Sequence, residues 1–335
     1  MAGRRSVLIV THAEDDHVPR VEAALRQQGT AFVRFDTDAY VRGTEAQFVV
    51  DARTPRSEFQ IGMQEHRGDQ FAAVLFRHFR VPEPEHIDDP EVRRLVVSER
   101  AAALEGSILA LEPALWINHP SANQNTRNKL RQLRVATRLG FEVPDTLVTA
   151  DPDRIRHCFD EWDGQMVSKL VGGQMVGRSI DEQFVIHTTR LAASDLDDTA
   201  ALAASPAIYQ RLVPKACDVR ATVVGDTIFA CRIASQAHAP GATDWRAAGY
   251  RALDHDVIEL PSKIQSLCRA LLRHFGLHMA GIDLIQRPDN SFVFLEINAA
   301  GQWAWVEDMT GQPIAAEITR QLTAAASGTE VSRHP

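Results

Sequence analysis

Four cysteines in 335 residues (Cys158, Cys217, Cys231 and Cys268) are too few and too unevenly spaced for a disulfide framework or a thiolate metal site. Reduced thiols in a cytoplasmic protein are the expectation. Long apolar runs are also missing. The best of them, SILALEPALWI, is broken by Glu112 and Pro113, so no segment reaches membrane-spanning length. The start, MAGRRSVLIVTH, holds too short an apolar stretch for a signal peptide and reads as a first β-strand. Positive charge is in deficit: 36 Lys and Arg against 44 Asp and Glu leave a net charge of −8. That balance argues against nucleic acid as the main partner, while a locally basic cleft can still hold a polyphosphate. No GxGxxG follows the first strand and no Gly-Lys-Ser/Thr loop occurs, so the two best-known nucleotide cradles are absent.

What is present concentrates in GIDLIQRPDNSFVFLEIN, residues 281–298, where two apolar runs flank a Pro-Asp-Asn turn signal. Placing Arg287 opposite Phe292 across a four-residue loop sets Asp283 opposite Glu296. Alternation then puts Asp283, Glu296 and Asn298 on one face, and Ile282, Leu284, Val293, Leu295 and Ile297 on the other. Like charges so placed repel by about 4 kcal/mol at ~4 Å and an effective dielectric near 20. A cation belongs between them. Two carboxylates and an amide oxygen, without Cys or His, form a hard all-oxygen set suited to Mg²⁺ rather than Zn²⁺.

Strands alternate with helices over residues 1–118, from SVLIV through AFVRFD, AQFVVD and AAVLFR to ALWINHP, which suggests a small α/β domain. The helix NTRNKLRQLRVATRLG opens the next unit, with VPDTLVT, QMVSKLV and AIYQRLV as short strands. DVRATVVGDTIFACRIASQ reads as a hairpin turned at Gly225-Asp226. Two helices, LPSKIQSLCRALLRHFG and QPIAAEITRQLTAAA, bracket the carboxylate hairpin, and the tail frays.

Separated cations accompany these elements. Lys129 sits in the helix after NHP. Lys169 ends a strand and precedes a turn containing Gly172 and Gly173, whose backbone N–H groups can approach phosphate oxygens. A strand that breaks at Pro214 offers the backbone of Gln210, Arg211, Leu212 and Val213 to an adenine edge, and Lys215, Asp218 and Arg220 follow. With Val224 opposite Thr227, Arg220 falls across from Cys231 and diagonal to Arg232. The two arginines then face opposite ways, and at most one of them need be catalytic.

This ordered set, Lys129, Lys169 with its Gly-rich loop, the Gln210–Val213 hinge, Asp218-x-Arg220, Asp283 and Glu296-x-Asn298, resembles the ATP-grasp superfamily. VLIVTHAEDDH, RFDTD, NHPSANQNTRNKLRQL, SKLVGG, SQ with DWR at 244–246, and LEINAAGQWAWVE look more narrowly like the ATP-grasp peptide maturases, the macrocyclases of microviridins and other graspetides. The likeness runs from about residue 6 to residue 322, and FRHFRVPEP departs from those relatives' aromatic-Arg-Arg-Pro run. It implies an α+β ATP-grasp fold with an N-terminal α/β pre-ATP-grasp domain (1–118), a central subdomain (119–208), a C-terminal subdomain (209–325) and a tail (326–335). It also implies ATP and two Mg²⁺, with Lys129 and Lys169 on the α- and β-phosphates and Asp283, Glu296 and Asn298 on the metal. Arg220 would stabilise the acyl phosphate, with Arg232 in reserve. The substrate would be a ribosomal precursor peptide of leader plus core, whose Asp or Glu carboxylates are joined to Ser, Thr or Lys side chains, and the enzyme a homodimer. The alternatives are another ATP-grasp carboxylate–amine ligase and a non-catalytic ATP-binding regulator.

Other polar clusters invite simpler readings. THAEDDH, with His12, Glu14, Asp15, Asp16 and His17, has metal-ligating residue types but the composition of a solvated loop. His238 is a candidate base for the attacking hydroxyl. Trp303 and Trp305 suit packing beside the metal face. The run Ser194–Asp198 reads as a solvated loop or helix start, with docking of a basic leader peptide as the functional reading.

Overall fold

A computed structural model describes residues 5–41, 45–50, 55–77, 79–172, 175–176 and 184–329. Its architecture is α+β, built on three main sheets. The N-terminal sheet is parallel, with spatial order Phe32–Asp36, Ser6–Thr11, Phe71–Phe76, Leu115–Ile117. The run Val7 to Val10 is apolar at every position because both faces are covered. Val7 and Ile9 join the core shared with the C-terminal half, whereas Leu8 and Val10 pack with Phe35, Phe59 and Leu104. AQFVV is not part of this sheet. It pairs with Pro55–Ile61, which pairs with Gln64–Arg67, in a separate antiparallel sheet. Strand-like composition marks a strand but does not name its neighbours, so the sequence pattern could not separate the two sheets.

The central sheet is antiparallel, in the order Thr189–Arg190, Met166–Lys169, Ala207–Arg211, Thr146–Thr149. The boundary expected between residues 208 and 209 therefore falls inside a strand of this sheet.

The C-terminal sheet has five antiparallel strands: His255–Ile258, Thr227–Ile233, Cys217–Val224, Met279–Gln286 and Phe292–Asn298. One face packs on the helices Lys129–Leu139 and Ser262–Phe275 through Val219, Ala221, Ile282, Leu284 and Phe294. The opposite face carries the polar residues discussed below.

Two amide side chains fix the sheet against its neighbours. Asn118 donates to Met279 O (2.7 Å) and Ala299 O (2.9 Å) and accepts from the N–H groups of His278 (2.7 Å) and Met279 (2.9 Å). Gln132 donates to Ile297 O (2.9 Å) and accepts from Ile297 N–H (3.0 Å). Because Gln132 lies one turn into the helix that begins at Lys129, this pair of bonds sets Lys129 beside the strand carrying Glu296. The helix itself is bounded by the Asn128 cap, whose Oδ1 accepts from Arg131 N–H at 2.9 Å, and by Gly140 at φ 102°. Such an N-cap is worth about 1 kcal/mol.

Candidate active site

Asp283 lies directly opposite Glu296 on one side and opposite Arg220 on the other, so three neighbouring strands present one charged row. Arg220 lies across from Cys231, as the Gly225-Asp226 turn requires. The hairpin reaches the Asp283–Glu296 pairing differently from the simple count. Gln286, not Arg287, faces Phe292, and a bulge between Asp283 and Leu284 restores the alignment. The bulge leaves Leu295 without a partner and turns Phe294 into the helix-packed core. Val293 and Leu295 consequently pack with Ile285 and Val213 rather than with Ile282 and Leu284, which corrects the alternation read from sequence.

The cation required between the two carboxylates is a side chain, Arg246. Its Nη2 donates to Asp283 Oδ2 at 2.6 Å and to Glu296 Oε1 at 2.8 Å. Arg246 sits in the short 3₁₀ turn Trp245–Ala247, whose cap is Asp244; the Asp244 carboxylate accepts Arg246 N–H at 3.1 Å. Burial works against the Arg246 charge, but Asp283, Glu296 and Asp244 more than offset it and its pKa is raised.

Arg220 Nε stands 2.7 Å from Asp283 Oδ1, an ion pair without hydrogen-bond alignment. Arg220 Nε and Nη1 and Asp283 Oδ1 are therefore buried with no hydrogen bond. Gly281 makes room for this guanidinium, since a Cβ there would meet Arg220 Nη1 at 2.7 Å. Burial raises the Asp283 pKa, with Arg220 and Arg246 opposing. Glu296 goes the other way: burial opposes its charge most, yet Arg246, Lys129 and Lys169 together hold it at about 2. Lys129 Nζ is 3.8 Å from Glu296 Oε2. Lys169 is pushed down to about 8, chiefly by burial, with Glu296 pulling it back up.

Four cations thus face Asp283, Glu296 and Asp244, an excess suited to a polyphosphate. Asp283 Oδ1 lacks a hydrogen bond, Glu296 stays ionised, and Asn298 stands two residues further along the same strand. This donor set fits a hard divalent ion such as Mg²⁺.

The hinge residues Gln210, Arg211, Leu212 and Val213 line a cleft together with Lys169, Asp218, Asp283 and Glu296. The N–H groups of Arg211 and Leu212 are already bonded to Asp145 O (3.0 Å) and Gln165 O (2.8 Å). Among the described residues Val213 N–H keeps no such bond, which narrows the donor expected of this hinge to one residue. Gln210 Nε2 donates to Thr146 Oγ1 at 2.9 Å, and Asp218 binds Lys215 Nζ at 2.8 Å. Gly172 lines a second cleft of about 720 Å³ with Lys129, Glu296 and Asn298, whereas Gly173 lies outside the described residues.

Three expectations are not met. Arg232 is not brought to the cluster: it pairs with Asp256 on the edge strand and is half-exposed, as the opposite facing of alternate residues demands. His238 is exposed and joins no part of the site. The THAEDDH loop is not solvated throughout, because Asp15 and His17 are buried. Asp15 accepts from Thr11 Oγ1 (2.7 Å) and His17 N–H (3.0 Å), and His17 Nε2 accepts Trp303 N–H at 3.1 Å. With Nε2 so occupied, the His17 proton sits on Nδ1, facing Asp15 and Asp16, and the trio is a tie rather than a metal site. Trp303 and Trp305 are buried, as packing residues should be, with Trp305 against Trp245 and 5.9 Å from the Arg220 guanidinium. Asp198 caps the helix Thr199–Ala204, so the acidic run is a helix start.

Arg246 and Lys215 were noted in the sequence but given no role at the site. A usable signal existed in composition. The chain contains four lysines, and Lys129, Lys169 and Lys215 all stand at this site.

Two family models match the chain: the MvdD pre-ATP grasp domain over residues 6–124 and the RimK-like ATP-grasp domain over residues 126–322. The chain is similar to the macrocyclase MdnC bound with precursor peptide MdnA from Microcystis aeruginosa MRC, at 28% identity and a TM-score of 0.83, covering 96% of this chain and 100% of that one. It is also similar to the ATP-grasp ligase PsnB complexed with a phosphomimetic variant of minimal precursor, Mg and ADP. There the identity is 25%, the TM-score 0.74, and the cover 96% and 98%. A probable alpha-L-glutamate ligase 1 of Hahella chejuensis is 29% identical over 206 residues, 60% of this chain and 64% of that relative, so the match spans less than two thirds of the relative's length. Among the described residues no helix is long and apolar enough to cross a membrane.

Proposed function

The chain belongs to the RimK-like ATP-grasp family, and from that premise we propose that it is an ATP-dependent peptide macrocyclase. It would activate Asp or Glu side chains of a ribosomally made precursor peptide and join them to Ser, Thr or Lys side chains of the same peptide. The observation that carries this reading is the row Arg220–Asp283–Glu296, ringed by Lys129, Lys169 and Arg246 beside the hinge cleft.

Val213 N–H is the hinge donor for the adenine edge, and Lys129 and Lys169 neutralise phosphate oxygens. Asp283, Glu296 and Asn298 would hold two Mg²⁺ ions, which when bound supply charge neutralisation to the β- and γ-phosphates. With those ions bound, Arg246, which here bridges the two carboxylates, would be available to the transferring phosphoryl group. In the first step a substrate carboxylate oxygen attacks the γ-phosphorus and the bond to the β–γ bridging oxygen breaks, giving an acyl phosphate and ADP. In the second a hydroxyl or amine attacks the acyl carbon. The carbon–oxygen bond to phosphate breaks, phosphate leaves with the electron pair, and the proton of the nucleophile goes with it. Each link costs one ATP and removes one water from the peptide. Arg220, with Nη1 buried and uncommitted, is placed to neutralise the oxyanion of that second step. The reading carries a homodimer in the cytoplasm with it, and no nucleic acid.

Intact-mass measurement on a precursor peptide encoded beside this chain tests the proposal. A loss of one water per link, dependent on ATP and magnesium, supports it. A gain equal to a second substrate's mass would instead favour a carboxylate–amine ligase, the reading to which the glutamate-ligase relative points.

A further inference from the structure

The cleft of about 720 Å³ shares Glu296 with the hinge cleft, and its wall includes Arg77, Asn123, Arg127, Lys129 and Asn298. Its position follows from topology. The chain runs from Ser6–Thr11 outward to Phe32–Asp36, then returns to the other side of the first strand at Phe71–Phe76. The ends of Ser6–Thr11 and Phe71–Phe76 therefore flank the switch point of a parallel sheet, where such sheets take their ligands. Asp15 stands in the loop after the first of these strands, and Arg77 directly follows the second.

Arg77 is 5% exposed and poorly partnered for a buried guanidinium. Nε is 3.4 Å from Asp15 Oδ2 and Nη1 is 3.4 Å from Gly301 O, both long, and Nη2 has no partner. The Asp15 oxygens are shared with Thr11 and His17, and Arg77 meets only one of them, at 3.4 Å. Asn123 Oδ1, in the same wall, is a buried acceptor without a donor. A cleft that leaves a guanidinium donor and an amide acceptor open matches a ligand carrying both a carboxylate and N–H groups, which describes an acidic peptide.

We propose that Arg77 anchors a side-chain carboxylate of an acidic peptide lying in this cleft, with Asn123 accepting one of the peptide's N–H groups. The anchored carboxylate is not the one being activated; Arg77 sets the register that delivers a neighbouring acid to Glu296 and Lys129. This deepens the peptide-ligase reading and rests on it for the nature of the substrate, but its test needs no turnover.

A fluorescein-labelled oligo-L-glutamate is titrated with the nucleotide-free full chain and followed by anisotropy. Wild type binds saturably; Arg77→Gln weakens binding about tenfold or more, the share of one charge-assisted bond, and Arg77→Lys restores part of it. Affinity for a magnesium-bound ATP analogue stays within about twofold in all three, because Arg77 does not line the hinge cleft. Should Arg77→Gln fail to fold, Asn123→Ala carries the test, with about a threefold to tenfold weakening expected. Three results overturn the anchor. Wild type does not bind oligo-glutamate; or the variants bind it as wild type does; or Arg77→Gln loses peptide and nucleotide affinity in parallel, as a purely structural residue would. ATP-dependent water loss from a precursor peptide in the face of any of these leaves the ligase reading standing and removes only the anchor.

Discussion

Asp15 and Asp283 are nearly equally buried, at 4% and 5% exposure, and each lies beside an arginine, yet their acidities move in opposite directions. Burial opposes the Asp15 charge, but His17, Arg77 and Thr11 overcome it and the carboxyl is held well below the usual range. For Asp283 burial wins: Arg220 and Arg246 do not offset it, and Oδ1 has no hydrogen bond. The difference lies in the donors aligned on Asp15 and in the deeper desolvation of Asp283, whose neighbour Glu296 adds a like charge. Fixed hydroxyl and N–H donors close the first cluster, whereas Arg246 bridges a carboxylate pair from a short turn and, on the proposed function, is the cation a divalent ion would replace. The same residue types make a structural tie in one place and, on the proposed function, a ligand site in the other.

The largest expected effect comes from breaking the open cluster. Glu296→Gln removes a metal-type oxygen and should lower ATP-dependent turnover by about 10³-fold while leaving the chain folded, the loss of several kcal/mol of charge stabilisation. Phosphate release and circular dichroism read the two parts separately. Breaking the closed cluster should act on stability instead. Asp15→Asn leaves Arg77 short of its counter-charge and should cost about 3 kcal/mol in urea unfolding. The pH dependence follows from the lowered acidity. An unfolded Asp titrates near 4, so the stability due to Asp15 is fully present above about pH 4 and is lost as pH falls toward the lowered folded value. Wild type should lose stability below about pH 4 more steeply than Asp15→Asn does.

Lys169 sharpens the comparison more gently. Its folded value of about 8 means that, without nucleotide, it surrenders its proton as pH rises through that point. Bound phosphate favours the charged form, so nucleotide affinity should be flat below about pH 8 and fall by up to about tenfold per unit above it. Lys169→Arg should flatten that limb in a fluorescence titration. Arg232 marks the small end. Its exposed pair with Asp256 predicts a change under about 0.5 kcal/mol on Arg232→Ala, and wild-type turnover.

The open cluster was the more legible of the two because its geometry is local. A Gly-Asp turn sets the Arg220–Cys231 register, and the Asp283–Glu296 pairing survives a bulge that no residue pattern announced. Arg246 was hidden because a 3₁₀ turn carries no periodicity; only the repulsion between two acids demanded its charge. The closed cluster was misread for another reason. Thr11, Asp15 and His17 look like loop residues until Arg77, Gly301 and Trp303 arrive from up to 286 positions away and cover them. The MvdD pre-ATP grasp model over 6–124 and the RimK-like model over 126–322 agree with the α+β ATP-grasp fold that the resemblance implied.

Calorimetric titration with a non-hydrolysable ATP analogue, with and without magnesium, tests the exchange of Arg246 for a divalent ion most directly. Wild type should bind the analogue much more tightly when magnesium is present, and the Asp283→Asn/Glu296→Gln protein should show no such dependence. Equal magnesium dependence in the two proteins would contradict the account.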